Sequence, residues 1–429
     1  MSTTAATTST TVVSLGCRLN AVEAEVMRRR ADAAGVSPLV IVNTCAVTAE
    51  AERQARQSIR RARRERPDAR LLVTGCAVEI DPERYAGLSE VDYVVSNREK
   101  LAHGLFERLG DRPRTVPSET IAAPTHASAA GANLPSRGRA LLAVQSGCDH
   151  RCTFCVIPYG RGPARSVPIS ETLAQVDALV EEGAREIVLT GVDLTSWGCD
   201  LPGPMRLGDL VRAILRASPG LERLRISSID QAEIDDQLLA AFAEEPRLMP
   251  HVHLSLQHGS DLILKRMKRR HTRRQAVEAC NALRRIRPDI VFGADLIAGF
   301  PTETEAHFAD TLSIIDDCGI SQVHAFSYSP RAGTPAARMP QLPEAAIKDR
   351  TTKLVEKSRS VLGGWLQSHV GAEVTAFLEG SGPRDGRART AQFAAVGISN
   401  LPSGHRPGDR VHARVTSHTG HRLLAEVTR

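Results

Sequence analysis

The chain has 429 residues, 42% hydrophobic, 24% charged and 3% aromatic, ordinary for a globular protein and enough for about two to four domains. It has no run of about 18 apolar residues and no charged-then-apolar leader at its start, which argues against a membrane span or Sec-type export and for a cytoplasmic protein whose nine cysteines are thiols. The net charge of +6 rests almost wholly on Arg, since only six of the 55 basic residues are Lys; a polyanionic partner and a codon bias toward Arg would each account for it.

Three N-terminal segments share one design. Thr11–Gly16, Pro38–Thr44 and Ala69–Gly75 are short aliphatic runs ending at Cys17, Cys45 and Cys76, and each is followed by a helix-compatible stretch: Ala21–Ala34, Ala49–Arg66 and Pro82–Leu88. This alternation predicts βα units and a parallel sheet. The spacings of 28 and 31 residues would bring the three cysteines to one carboxyl edge, where open α/β sheets hold ligands. A short strand at Val91–Ser96 and a helix at Arg98–Leu109 complete the expected N-terminal domain, residues 1–110.

Residues 111–137 are rich in Pro, Ala, Ser and Thr without apolar period and read as a linker. From Gly138 six strand candidates follow: Ala140–Ser146, Glu186–Val192, Arg223–Ile229, His251–Gln257, Val291–Gly299 and Gln322–Ser329. Helical stretches such as Ser170–Glu182, Leu207–Ala217 and Arg273–Arg287 separate them. The pattern predicts a partial β/α barrel over residues 138–369, ending in a helix over Glu344–His369, with its site at the strand C-termini. In residues 370–429 four short runs, Ala372–Leu378, Phe393–Ile398, Arg410–Val415 and Leu423–Val427, alternate with Gly/Pro/Ser turns, the pattern of a small β-barrel. The fold class is therefore α/β with a terminal all-β domain.

Chemistry is densest at Cys148-Asp-His-Arg-Cys152-Thr-Phe-Cys155, in the loop after the first barrel strand. Three thiolates packed this closely can ligate three irons of a 4Fe–4S cube and leave the fourth iron open to a small molecule. Zinc with His150 as fourth ligand, or unligated thiols, are the plainer alternatives. Cys17, Cys45 and Cys76 taken singly read as small buried hydrophobes; their convergence on one sheet edge favours a second three-cysteine cluster. Cys199, Cys280 and Cys318 show no ligand spacing and receive no role.

The CxxxCxxC loop resembles that of the radical S-adenosylmethionine (SAM) superfamily, with Phe154 at the position where that family carries an aromatic residue. With both triplets the chain resembles the methylthiotransferases over nearly its whole length: a cluster domain, a radical-SAM barrel and a terminal barrel similar to the TRAM domain. The likeness is carried by Ser14–Asn20, Val42–Thr48, Val144–Cys148, Ile157–Gly162, Leu189–Val192, Arg225–Ser228, Leu254–Gln257 with Gly259–Asp261, Asp295–Pro301 and Ser327–Ser329 with Gly333–Pro335. Around the first two cysteines, Leu-Gly-Cys-Arg-Leu-Asn and Asn-Thr-Cys-Ala-Val-Thr are most similar to the branch that adds methylthio to C2 of N6-threonylcarbamoyladenosine at position 37 of tRNA. The branches acting on isopentenyl-adenosine or on a ribosomal-protein aspartate, and a non-catalytic iron–sulfur RNA-binding protein, are the alternatives.

That resemblance implies two 4Fe–4S clusters. The cluster on Cys148, Cys152 and Cys155 would cleave SAM to a 5′-deoxyadenosyl radical; the one on Cys17, Cys45 and Cys76 would hold the sulfur to be methylated and transferred. It further implies a tRNA anticodon stem-loop as partner, an electron donor such as flavodoxin or ferredoxin, and a monomer. Phe154 and the polar groups at strand ends, Thr190, Gly191, Ser228, Gln257 and Ser260, are the expected SAM contacts. Two Arg runs are expected to neutralise phosphate: Arg53, Arg56, Arg60, Arg63 and Arg64 at helical spacing, and Lys265–Arg274. Gly386–Phe393 lacks the Asn and Tyr of the TRAM signature.

Overall fold

The computed structural model describes residues 10–109, 130–134, 138–379 and 386–428. Its N-terminal sheet is β1 (Thr11–Ser14), β2 (Leu39–Thr44), β3 (Arg70–Gly75) and β4 (Tyr93–Val94), paired in that order and all parallel. All six residues of β2 are buried, as a continuous aliphatic strand covered on both faces requires. Helices α1 (Arg18–Ala33), α2 (Ala49–Glu65), α3 (Cys76–Ile80) and α4 (Pro82–Ala86) follow the strands. Thr48 caps α2 by accepting from Ala51 N at 3.1 Å. The expected helix over Arg98–Leu109 is a series of turns instead, broken at Gly104, whose φ of 69° lies in the left-handed region.

Most of the expected linker, 111–129 and 135–137, lies outside the described residues. Its remaining part departs from the expectation: β5 (Ala130–Leu134) pairs antiparallel with β6 (Arg139–Ala143) and extends the barrel sheet by an edge strand. A short ribbon of β7 (Gln145–Ser146) and β8 (Arg165–Ser166) encloses the cysteine loop and α5 (Ile157–Arg161). Then α6 (Ile169–Glu181), β9 (Glu186–Thr190), α7 (Leu207–Ala217), β10 (Arg223–Ile226), β11 (Ser228–Ile229), α8 (Asp236–Glu244), β12 (His251–Gln257), α9 (Asp261–Arg266), α10 (Arg273–Ile286), β13 (Val291–Ala298), α11 (Glu305–Asp317), β14 (Ile320–Ser327) and α12 (Glu344–Gln367) succeed one another.

Strands β6, β9 and β10 form one parallel run and β11 to β14 the next, with Ser227 between them, so six strand positions wind into the expected open barrel. Its main core lies between the sheet and the outer helices and includes Cys280 and Cys318, both fully buried, two of the three cysteines without ligand spacing. Inside the barrel, Leu19 and Val22 of α1 pack against Leu141, Ala143 and Val188, so the N-terminal domain fills part of the lumen.

The C-terminal domain is a closed barrel of β15 (Glu373–Leu378), β16 (Arg387–Thr390), β17 (Ala395–Ser399), β18 (Arg410–His418) and β19 (Leu423–Val427), in the order β15-β16-β17-β19-β18. Four of these strands match the sequence expectation. The polar Arg-Ala-Arg-Thr of β16 carries no apolar run, and its strand state comes from pairing with β15 and β17. The loop after it, ending at Phe393 with φ 69°, plugs the N-terminal mouth of the large barrel: Arg225 donates to Ala391 O at 2.9 Å, and Gln322 to Gln392 O at 3.3 Å.

Candidate active site and cluster sites

The parallel register aligns Ser14 with Asn43 and Thr44 with Gly75, so Cys17, Cys45 and Cys76 emerge at one sheet edge. Two glycines make the approach possible. A side chain at Gly16 (φ 90°) would meet Cys45 Cβ and Sγ at 2.6 Å, and one at Gly75 (φ 104°) would meet Thr44 O at 2.4 Å. Burial, with Cys17 and Cys76 adding to it, pushes the Cys45 thiol up to about 11. Three soft donors that repel one another once ionised fit a cationic iron–sulfur core, whose charge relieves that repulsion.

A buried polar network holds this edge. Asn20 donates to Leu15 O at 2.7 Å and Thr44 O at 3.0 Å, tying the loop of Cys17 to that of Cys45. Glu23 receives Lys100 Nζ at 2.5 Å and Arg161 Nη1 at 2.8 Å, and Arg161 also donates to Asn20 Oδ1 at 2.5 Å. Burial alone would raise the Glu23 carboxyl, but Arg161 and Lys100 overcome it and hold it at about 2. Arg161 lies within electrostatic reach of Cys76 and Cys17. It comes from α5 of the barrel domain, and Gly160 beside it lets that helix pack on Cys76: an added Cβ would sit 3.0 Å from Cys76 Cβ.

The second triplet occupies the loop after β7. Cys148 N donates to Gly162 O at 3.1 Å, Thr153 N to Met267 O at 3.0 Å, and Ala336 N to Thr153 O at 2.9 Å, so three separate segments pin the loop. Burial pushes the Cys148 and Cys155 thiols up, Cys155 to about 11, with Asp193 adding to the effect on Cys148 and Cys152 to that on Cys155. Arg269 places Nη1 3.6 Å from Cys152 Sγ. Asp193 accepts from Cys148 Sγ at 3.5 Å and from Ser196 Oγ at 2.6 Å. His150, the alternative zinc ligand, lies 2.8 Å from Asp193 and 3.7 Å from Glu233, and these carboxylates raise its pKa to about 9. Cys155 is within electrostatic reach of Cys76, so the two triplets are neighbours across the domain junction.

Beside them a cavity of about 210 Å³ opens between Val47 and Thr48 of the N-terminal domain, Phe154 of the cysteine loop, and Gln257, Asp295 and Phe326 at the barrel strands. Of the expected SAM contacts it contains Phe154 and Gln257. The others lie elsewhere. Thr190 is buried at the end of β9; Gly191 is a close-packing position, 2.9 Å from Gln145 Oε1 for any added Cβ; Ser228 hydrogen-bonds Ser255 at 3.2 Å; and Ser260 is buried at the start of α9.

Asp295 was missed as a single residue, although it opens the stretch Asp295–Pro301. It is the junction of His253, at 2.9 Å, and His324, at 3.3 Å, and burial notwithstanding these imidazoles lower its pKa to about 2. Glu23, Lys100 and Asp193 carried no spacing signal; Arg161 stood within the Ile157–Gly162 stretch.

The two Arg runs are less free than their spacing suggested. Arg63 donates to the carbonyls of Pro67, Ala69 and Glu90 and to Asp92. In the second run Arg266 binds Thr302, Arg269 binds Asp230, Arg270 binds Glu233, and Arg273 binds the Gly259 and Asp310 carbonyls. These side chains fasten loops because a strand end leaves carbonyls that only a long donor can reach.

An open parallel barrel with three cysteines in the loop after its first strand, bordering a cavity at its carboxyl end, is the site of a radical-SAM enzyme, which uses SAM with a 4Fe–4S cluster. Residues 142–315 match the Radical SAM superfamily, and residues 9–96 match the Uncharacterized protein family UPF0004. The threonylcarbamoyladenosine tRNA methylthiotransferase MtaB of Rickettsia prowazekii is 45% identical over 86% of this chain and 87% of its own. Its Aquifex aeolicus counterpart is 36% identical over 85% and 91%. A tRNA-2-methylthio-N(6)-dimethylallyladenosine synthase of Cereibacter sphaeroides is 34% identical over 96% of both. Among solved structures, the radical SAM methyltransferase TsrM of Kitasatospora setae, with cobalamin and a 4Fe–4S cluster bound, has a TM-score of 0.52 at 15% identity, covering 70% of this chain and 66% of that one; this likeness concerns the fold. The chain belongs to the radical-SAM methylthiotransferases of the MtaB type.

Proposed function

We propose that the protein adds a methylthio group to C2 of N6-threonylcarbamoyladenosine at position 37 of tRNA. The observation that carries the reading is that two cysteine triplets stand within electrostatic reach of each other beside one cavity, supported by relatives that match most of the chain and are named for this activity. Cys148, Cys152 and Cys155 would ligate the cluster that takes SAM, and Cys17, Cys45 and Cys76 the cluster that carries sulfur. When bound, these groups supply the one-electron chemistry that an unactivated aromatic C–H bond requires.

The chain's own contribution is placement. Glu23, Arg161 and Asn20 fix the Cys17 and Cys45 loops to the barrel, so the two sites keep one spacing. Phe154 packs edge-on to Phe300 with ring centroids 6.5 Å apart, which backs the apolar wall that Phe154, Ile297 and Phe326 give the cavity. Gln257, at φ 70°, turns the end of β12 so that its amide lines the cavity. Arg269 and Asp193 hold the second cysteine loop at two different cysteines, Cys152 and Cys148.

The reading extends to an anticodon stem-loop as substrate, to flavodoxin or ferredoxin as electron donor, and to a cytoplasmic monomer; no helix among the described residues is long and apolar enough to cross a membrane. Mass spectrometry of tRNA nucleosides from a strain lacking the gene is the test. Loss of 2-methylthio-N6-threonylcarbamoyladenosine, restored by the wild-type gene, is expected; unchanged levels would overturn the assignment.

A further inference from the structure

The barrel mouth opposite the cysteine loops is crowded with positive charge. Arg139, Glu186, Arg223 and His251 are the first residues of β6, β9, β10 and β12, and Phe393 of the C-terminal domain lies among them. The guanidiniums of Arg18, Arg139, Arg225 and Arg389 stand 5.4, 5.3, 4.7 and 4.3 Å from the centre of its ring. Two carboxylates share the ion pairs: Glu186 takes Arg223 at 3.4 Å and Arg225 at 3.2 Å, and Glu379 takes Arg389 at 2.8 Å together with Arg139.

Arg18 is left over. Among the described residues it has no hydrogen bond and no ion pair; the residue is exposed, its head stands over the face of Phe393, and Glu186 is the carboxylate within electrostatic reach of it. It follows Cys17 directly, so this unpaired cation is covalently next to the N-terminal cysteine triplet while its head lies inside the barrel. The inward face of β12 runs from Gln257 at the cavity past Ser255 and His253 to His251, whose ring is 5.2 Å from Phe393. A polar track thus joins the cavity to the unpaired guanidinium.

We infer that Arg18 is an anion subsite within the barrel, and that it takes the carboxylate of the N6-threonylcarbamoyl group. The inference rests on the substrate reading above. An exposed guanidinium that Glu186 reaches electrostatically but does not bind, beside an aromatic ring and other guanidiniums, keeps its hydrogen-bond donors free, and a planar carboxylate meets them with two parallel hydrogen bonds. An adenosine carrying a hydrocarbon on N6 would leave the cation unpaired, so the subsite also selects against that substrate. A backbone phosphate of the tRNA offers the same chemistry from another source.

Binding of three otherwise identical anticodon stem-loops to the reconstituted protein separates these sources: one with threonylcarbamoyladenosine, one with its methyl ester, one with plain adenosine. The wild type should prefer the acid over the other two by about tenfold or more. Arg18→Gln should abolish that preference while leaving affinity for the ester unchanged, and Arg18→Lys should retain part of it. Equal weakening of all three by Arg18→Gln would point to phosphate and overturn the carboxylate assignment, as would a wild type indifferent to esterification. Iron content and visible absorption report whether the neighbouring cluster survives the substitution; if it does not, the wild-type comparison of acid with ester decides. A wild type that prefers the acid but never methylthiolates it would refute the proposed function and leave the subsite standing.

Discussion

Replacing Glu23 by Gln tests the network that holds the N-terminal cysteines. The carboxylate is buried and pairs with both Lys100 and Arg161, which are buried as well. Removing one member of such a set strands the remaining charges, at a cost of about 3–5 kcal/mol. The titration argument agrees: a carboxyl held at about 2 instead of 4.5 contributes about 3 kcal/mol at neutral pH. Because the folded value lies below the ordinary one, that contribution is complete above about pH 4.5 and is lost as pH falls toward about 2. Hydrogen exchange followed by mass spectrometry reads the effect in place. Amides of β2 that open through this domain should exchange about a hundredfold faster at neutral pH in Glu23→Gln, while α7 and α8 keep their wild-type protection. Combining Glu23→Gln with Lys100→Met should cost less than the two single changes together, since the pair interacts directly. Unchanged β2 exchange in Glu23→Gln, or strict additivity, would refute the reasoning.

Reconstitution under anaerobic conditions should give about eight irons per chain, falling to about four when Cys17, Cys45 and Cys76 are all replaced by Ala; that variant should still cleave SAM on reduction but form no methylthio product. Iron analysis and product chromatography check both halves, and eight irons in the variant would exclude these cysteines as ligands. Gly75→Ala should abolish stable cluster incorporation, because its Cβ would lie 2.4 Å from Thr44 O, whereas Gly35→Ala, at φ 66° with no neighbour within 4 Å, should cost only about 1–2 kcal/mol in urea unfolding. Arg269→Met should speed loss of the barrel cluster to a chelator several-fold, because it removes the cation 3.6 Å from Cys152 Sγ, and should also lower stability by taking from buried Asp230 its partner at 2.7 Å; chelation kinetics followed by visible absorption, and urea unfolding, measure the two effects. Stem-loop affinity should fall steeply between 50 and 200 mM salt, and a flat dependence would contradict phosphate contacts.

Local pattern settled most of the architecture. The aliphatic runs before Cys17, Cys45 and Cys76 are strands within one or two residues of their expected limits, as are four of the six barrel strands, because buried parallel strands need continuous apolar sequence; the first barrel strand ends at Ala143, three residues early, and the third is broken at Ser227. The spacing of Cys148, Cys152 and Cys155 announced a cluster for the same local reason. Where pairing rather than pattern makes the element, the sequence was silent: β5 lies in an apparent linker, β16 is Arg-Ala-Arg-Thr, and Arg98–Leu109 has helical composition but turns at Gly104.

Distance along the chain hid the rest. Glu23 and Arg161, and Arg18 and Phe393, meet only after domains have packed, and Cys76 and Cys155 come within electrostatic reach only then. The Arg runs make the contrast plain. Sequence spacing predicted their helices and their positive charge, but whether a guanidinium faces solvent, a carbonyl or a carboxylate depends on what the fold sets opposite it. Arg63 and Arg273 fasten loops, while Arg18, one residue past a cysteine and in neither run, makes no hydrogen bond or ion pair among the described residues.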